Sequence, residues 1–119
     1  MNERILKWLF DIEQAIKEID SYFLNHPKDF NYYVSNVLLK RAIERDLEII
    51  GEAINRILKM EPEFPIENAN RIVGLRNQII HAYDNISDEN IWAIISKHLP
   101  LLSEEIKSLI DNSGENSDT

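Results

Sequence analysis

The chain has 119 residues, of which 44% are hydrophobic and 29% charged, with three glycines, four prolines and no cysteine. This length suits a single domain, and the composition is typical of a helix-rich soluble protein. The lack of cysteine excludes a disulfide framework and a thiolate metal site, and it favours the reducing cytoplasm. A formal net charge of −8 argues against nonspecific binding of nucleic acid or anionic lipid over the whole surface, although a local basic cleft is compatible with it.

The first fourteen residues, MNERILKWLFDIEQ, carry charges inside an apolar run and have no small-residue cleavage site. They therefore do not match a signal peptide. No stretch approaches the roughly 20 apolar residues that a membrane span requires. We expect a cytoplasmic protein without a membrane partner.

Two long amphipathic helices are predicted in the first half of the chain. Apolar residues at alternating steps of four and three predict a helix over about residues 3–24, and Pro27 breaks the pattern after it. A second helix is predicted over about residues 34–60, with an apolar arc covering half its circumference. Gly51 lies in its middle at a cost of about 1 kcal/mol relative to Ala, which indicates close approach of another backbone. This helix is expected to be the central one.

The opposite face of the second helix is polar and carries Arg41, Arg45, Glu48, Glu52 and Asn55. Spacings of three and four allow these residues to form ion pairs on a solvated surface. The same spacings are compatible with a polar cleft or a dimer surface. The sequence leaves these interpretations open.

A third helix is predicted over about residues 66–80, after the proline-containing stretch MEPEFPIEN. A fourth should begin near Ser87, whose hydroxyl can cap it, and Pro100 should kink it or break a turn. Residues 111–119, DNSGENSDT, contain no apolar side chain and are expected to be disordered. The predicted architecture is an all-α helical bundle over residues 1–110, followed by the polar tail.

The stretch RNQIIHAY, residues 76–83, places Arg76, Asn77, His81 and Tyr83 among core-like apolar residues. On an ideal helix Asn77 and His81 share a face, whereas Arg76 and His81 point about 140° apart. These side chains can converge if the helix ends or distorts near His81, or if the long Arg76 side chain reaches round. A two-fold dimer would also bring two copies of the strip into one cleft.

These residue types suit cleavage of a phosphodiester. Imidazole exchanges protons near neutral pH, and guanidinium stabilises charge that develops on phosphate. RNA supplies its own nucleophile, the 2′-hydroxyl, so no metal is required. The sequence contains no glycine-rich phosphate loop, nucleophile elbow or HExxH, and its three histidines have no metal-ligand spacing. His26 and His98 are interpreted as structural or surface residues.

With these motifs in view, the chain resembles the HEPN superfamily, and specifically the HepT group of small bacterial and archaeal toxins. The resemblance is carried by the RX4HXY pattern at residues 76–83, by RAIERDLEIIGEA in the second helix, by GLRNQIIHAY, and by NIWAII in the last helix. It covers nearly the whole chain except the polar tail.

The resemblance implies a homodimeric up-and-down bundle of four to five helices. It also implies metal-independent cleavage of RNA, such as tRNA or mRNA, without a cofactor. It implies catalytic roles for Arg76 and His81, with Asn77 in support. It also implies a partner, a minimal nucleotidyltransferase antitoxin that neutralises the toxin by transferring AMP to Tyr83. The alternative interpretation is a non-catalytic helical dimer that binds a nucleotide or a protein. An intact Arg76 and His81 pair favours the enzyme, because an interaction module has no physical need for it.

Overall fold

The computed structural model describes residues 2–68, 72–74, 77 and 87–117, the last four of these as backbone alone. Its elements are five α-helices and one π-helix: α1 (Glu3–Ser21), α2 (Phe30–Ser35), α3 (Val37–Met60), α4 (Asp88–Ala93), the π-helix (Ile94–His98) and α5 (Leu99–Ser117). Residues 72–74 and 77 are also helical. No residue in these ranges belongs to a strand, which confirms the predicted all-α class.

Helix α1 begins at Glu3, directly after its capping residue Asn2. The Asn2 side chain accepts a hydrogen bond of 2.7 Å from the Arg4 amide, which satisfies one of the free donors of the first turn. The predicted stripe is buried at Ile5, Leu9, Ile12, Ile16 and Ile19. The helix ends at Ser21 rather than 24, because the next residues form turns, and Phe23 packs against the core from outside the helix.

The predicted second helix is divided in two at Asn36. A short helix, α2, precedes it, and the Asp29 carboxylate caps α2 by accepting from the Tyr32 amide at 2.7 Å. Asn36 has an extended backbone, and its side chain accepts from the Leu39 amide at 3.0 Å. An asparagine that caps a new helix in this way stops the preceding one, so the long helix begins at residue 37 and not 34.

Helix α3, which corresponds to the predicted second helix, is the central element, as predicted. Its buried stripe runs through Leu39, Ile43, Leu47, Ile50, Ile54 and Ile57, and Gly51 is buried beside it. Helix α1 packs mainly against α3 and also against α5, while α2 packs on α3 and α4. The core therefore lies between α1, α3 and the last two helices.

Three contacts set the direction of the helices. Tyr22, after α1, contacts Asp46 near the start of α3, whereas Trp8 and α3 residue Arg56 line one groove, so α1 and α3 are antiparallel. Asp88 pairs with Lys40 near the start of α3. Glu105 contacts the backbone beyond the end of α3, so the chain from α4 to α5 runs parallel to α3.

Pro100 produces the distortion that the sequence predicts. A proline has no amide hydrogen and its ring clashes with the carbonyl four residues earlier, so a regular helix cannot continue through it. The helix widens over Ile94–His98, and the Leu99 amide bonds the carbonyl of Ile94, five residues back. The Ser96 hydroxyl donates 2.7 Å to the Trp92 carbonyl within the same stretch.

Two further predicted boundaries differ from the structure. Residues 66–68 are not helical, because the chain there follows Pro65 and is held by hydrogen bonds from outside. Helix α5 continues to Ser117, seven residues into the tail that was expected to be disordered. Ser113, within this extension, is buried. Within the described ranges, no helix is both long and apolar enough to cross a membrane.

Candidate functional site

The strip at residues 76–83 is only partly described. Asn77 is helical and exposed, and it makes a contact of its own. Arg76, His81 and Tyr83 lie outside the described residues. Their convergence therefore stays a prediction, and what the structure defines is how the chain is held before and after them.

On the N-terminal side, the strip is attached to the last helix. The two carboxylate oxygens of Glu105 accept from the backbone amides of Glu67 at 2.9 Å and Asn68 at 3.3 Å. A carboxylate that accepts two backbone donors forms charge-assisted bonds, which are stronger than neutral ones. Ile72 follows and is fully buried in the core. The chain is thus fixed in position a few residues before Arg76.

On the C-terminal side, a cap and an ion pair hold the chain. The Ser87 hydroxyl accepts from the Asn90 amide at 3.1 Å, as its sequence position predicts. The Lys40 ammonium lies 3.0 Å from a carboxylate oxygen of Asp88, and both side chains are partly buried. Partial burial weakens the screening of this pair relative to an exposed one.

These two attachments lie at opposite ends of α3. Asn68 is beyond its C-terminal end, where Glu105 bonds its amide. Ser87 is beside its N-terminal end, because the neighbouring Asp88 pairs with Lys40.

The polar face of α3 lines a groove against α1. The groove has a volume of about 310 Å³, and its polar residues include Asp11, Arg45, Glu48 and Glu52, with Trp8 on α1. Ion pairs are present on the same face, from Arg41 to Glu44 at 2.8 Å and from Arg56 to Glu52 at 3.1 Å. The face thus combines two of the predicted alternatives, since it carries local ion pairs and also forms a polar cleft.

A chain of aromatic rings runs from the core to the surface at the end of the bundle where α3 begins. The centroid of Trp92 lies 5.9 Å from that of Phe23, in an edge-to-face contact. Phe23 contacts Tyr32 at 6.4 Å, and Tyr32 stacks on His26 at 4.8 Å with an interplanar angle of 17°. His26 is exposed, and Tyr32 is partly buried. From the sequence, His26 was interpreted as no more than a structural or surface residue.

Helix α3 contains a buried acid that was not predicted from the sequence. Asp46 is 2% exposed, and its carboxylate accepts a hydrogen bond of 2.7 Å from the Tyr22 hydroxyl. Burial, together with the negative charge of Glu18, raises the pKa of Asp46 to about 6. Its position was a signal, since it lies three residues after Ile43 and four before Ile50 on the apolar stripe.

The described ranges contain no group of three or more histidine or carboxylate side chains close enough to hold a metal ion. His26 stacks on Tyr32, and His98 is half-buried beside the π-helix with a contact of its own. The chemistry available from these parts of the chain is therefore proton exchange, charge pairing and aromatic stacking.

A family profile described as Ribonuclease HepT-like matches residues 12–109, a range that includes the strip. The chain belongs to the HepT-like ribonuclease family. This membership confirms the resemblance that the sequence motifs indicated. No solved structure matches the chain significantly.

Relatives of this HepT-like chain come from archaea and bacteria. A candidate RNase of Methanocaldococcus jannaschii is 31% identical, and the match covers 90% of this chain and 98% of that protein. A candidate RNase of Caldanaerobacter subterraneus is 34% identical over 68% of this chain and 73% of its own. A candidate ribonuclease HepT of Thermococcus cleftensis is 28% identical over 86% and 92%. The similarity to HepT-like proteins thus extends over almost the full length of two of these relatives.

Proposed function

We propose that this chain is a metal-independent endoribonuclease that acts as the toxin of a toxin–antitoxin pair. The observation that carries the proposal is the match to the HepT-like family over residues 12–109, with the RX4HXY pattern inside it. Relatives described as candidate RNases support the same activity. RNA is accordingly the proposed substrate.

The proposed reaction uses the RNA's own 2′-hydroxyl. Its oxygen attacks the adjacent phosphorus while the bond to the 5′-oxygen breaks, which leaves a 2′,3′-cyclic phosphate and a 5′-hydroxyl. One proton leaves the nucleophile and one reaches the leaving oxygen, and His81 exchanges protons in this step. Arg76 stabilises the charge on the pentacoordinate phosphate, and the Asn77 amide supports the phosphate by hydrogen bonding.

The proposed active form is a homodimer with both copies of residues 76–83 facing one cleft. Support comes from exposed apolar side chains at the start of α3, where Val37 is 64% and Leu38 83% exposed. Adjacent exposed apolar side chains favour a protein contact. The attachments at Glu105 and at Lys40 hold the strip's two flanks to the bundle, which suits a site built from two rigid copies.

The proposed control is nucleotide transfer to Tyr83 by a minimal nucleotidyltransferase antitoxin. The phenol oxygen attacks the α-phosphorus of ATP, pyrophosphate leaves, and a tyrosyl–AMP ester forms. An ordinary phenol has a pKa near 10 and is a poor proton carrier at neutral pH, so Tyr83 suits modification better than acid–base work. The added phosphate would repel RNA from the cleft and obstruct it.

Purified protein incubated with total RNA and with tRNA, in buffer with and without EDTA, tests the activity. Wild type should cut both with EDTA present, and the His81→Ala and Arg76→Ala variants should be at least about 100-fold slower. An oligonucleotide with one 2′-deoxy residue at the cleaved position should resist cleavage. Cleavage by a pure double variant at the wild-type rate would exclude these catalytic roles, and a strict need for Mg²⁺ would exclude the mechanism.

A further inference from the structure

We propose that the His26 and Tyr32 stack is a platform for an unpaired base of the RNA substrate. The inference rests on the proposed ribonuclease function and adds a binding site to it. Nucleic-acid-binding proteins commonly bind unpaired bases by stacking them on aromatic side chains. The ligand class is therefore single-stranded RNA.

The geometry of the stack leaves one aromatic face open. The two rings are nearly parallel, with centroids 4.8 Å apart and planes at 17°, so one face of each ring is covered by the other. Because His26 is exposed, its outer face meets solvent. A ring pair that served only to close the core would be expected to bury both rings.

The stack is also held in place by the aromatic side chains on its inner side and by the cap of α2. Phe23 contacts Tyr32 with its ring at 75° and contacts Trp92 at 70°, and all three rings pack against the hydrophobic core. The Asp29 carboxylate caps α2 by accepting from the Tyr32 amide, which fixes the backbone that carries this ring. A base that binds here meets a surface already ordered, so little side-chain entropy is lost.

The position of the His26–Tyr32 stack suits an RNA strand that extends beyond the proposed cleavage site. Trp92, at the inner end of the ring chain, lies on α4, which begins just after Ser87. The proposed cleavage residues precede α4 closely in the sequence. In the proposed function, the RNA strand that they cleave would place a nearby unpaired base on His26.

The charges around the platform favour stacking over phosphate binding. Lys28 and Asp29 follow His26 in the same exposed loop, and their opposite formal charges sum to zero. The Asp29 carboxylate is already engaged as the cap of α2. Binding at this position should consequently depend on the aromatic face rather than on salt concentration.

Fluorescence anisotropy of a labelled ten-nucleotide single-stranded RNA, measured with the His81→Ala protein to prevent cleavage, tests the platform. The His26→Ala substitution, introduced into this His81→Ala protein, should raise the dissociation constant for RNA about five- to ten-fold, because one base loses its stacking partner. His26→Phe keeps an aromatic face and should bind like the parent. Tyr32→Ala should also weaken binding, whereas Asn25→Ala, in the same loop, is the matched control and should not.

Cleavage kinetics in the wild-type background give an independent measurement. His26→Ala should raise KM by a similar factor with kcat unchanged, since His26 binds the strand and takes no part in the chemistry. Thermal melting checks that each variant folds.

Several outcomes would overturn the platform alone. One is equal binding by His26→Ala and its parent, and another is an equal loss of binding in His26→Ala and His26→Phe. The same RNA annealed to its complement, and free AMP, serve as comparison ligands. Binding of either one as tightly as the single-stranded RNA would also overturn the platform. If wild type neither cleaves nor binds any RNA, the proposed ribonuclease function fails as well. His81-dependent cleavage that is indifferent to His26 leaves the function standing.

Discussion

The Tyr22 hydroxyl donates a 2.7 Å hydrogen bond to the carboxylate of Asp46, joining the end of α1 to the buried side of α3. The two helices pack against each other, and this hydrogen bond joins α3 to the turn after α1. An acid in this position couples the packing of the two helices to pH.

The free energy of unfolding should decrease as pH rises from about 4 to 6, because Asp46 loses its proton over this range. Burial raises its pKa from 3.8 to about 6, so the folded state binds a proton more tightly than the unfolded chain. The stabilisation from that proton is complete below the unfolded pKa and is lost as pH rises through the folded one. Asp46→Asn should therefore gain about 2 kcal/mol relative to wild type between pH 4 and pH 7.

Urea unfolding of both proteins at pH 4, 5, 6 and 7 measures this difference. Glu18 contributes to the raised pKa and Arg45 opposes it, so Glu18→Gln should reduce the pH dependence. A difference between Asp46→Asn and wild type that stays constant over this range would show that Asp46 titrates normally.

Two tyrosine-to-phenylalanine substitutions should have opposite effects on stability. Tyr33 is fully buried, and none of the described residues bonds its hydroxyl. Tyr33→Phe should therefore stabilise the fold by about 1 kcal/mol, because it removes a desolvated donor. Tyr22→Phe leaves Asp46 without its donor and should destabilise by about 1 kcal/mol. Thermal midpoints at pH 7 that move in the same direction for both variants would contradict this account.

Removing the Glu105 carboxylate should reduce RNase activity more than stability. Glu105 accepts from the amides of Glu67 and Asn68, so Glu105→Ala releases the chain that leads into the strip. We expect a loss of about 1 kcal/mol in unfolding free energy, as for a lost helix cap, and at least a ten-fold loss in kcat. The adjacent Glu104→Ala is the matched control and should retain both. A kcat that falls only in proportion to the folded fraction would argue against a positioning role.

Light scattering should give twice the 14.0 kDa mass of one chain at micromolar concentration. Leu38→Glu places a charge at the exposed start of α3 and should shift the equilibrium toward monomer, with a parallel loss of cleavage. Leu101→Glu is the control, since Leu101 is exposed on α5 instead. A wild-type mass equal to the monomer would refute the shared cleft.

Tyr83→Phe should keep substantial RNase activity and escape neutralisation by the cognate nucleotidyltransferase with ATP. The phenol is not needed for proton transfer, whereas its oxygen is the only group there that can form the AMP ester in the proposed reaction. Intact-mass spectrometry should detect AMP on wild type and none on the variant. AMP additions that persist on Tyr83→Phe would assign the modification to another residue.

Periodicity and caps determined much of this protein from the sequence alone. The apolar steps of α1 and α3, the Ser87 cap and the effect of Pro100 all follow from local rules, because helix geometry repeats every 3.6 residues. The motif at residues 76–83, together with the stretches RAIERDLEIIGEA and NIWAII, was sufficient to indicate the family. Local rules also explain the errors, since Asn36 could cap a helix or lie within one, and the choice depends on whether α2 packs on α3 and α4.

Only the tertiary structure decided which distant residues meet. The sequence could not pair Tyr22 with Asp46, Lys40 with Asp88, or Glu105 with the amides of residues 67 and 68, because each contact depends on how the helices pack. The ring chain from Trp92 to His26 likewise joins segments more than 60 residues apart. Such contacts result from the burial of apolar faces, which is non-directional and specifies no partner until the whole bundle has formed.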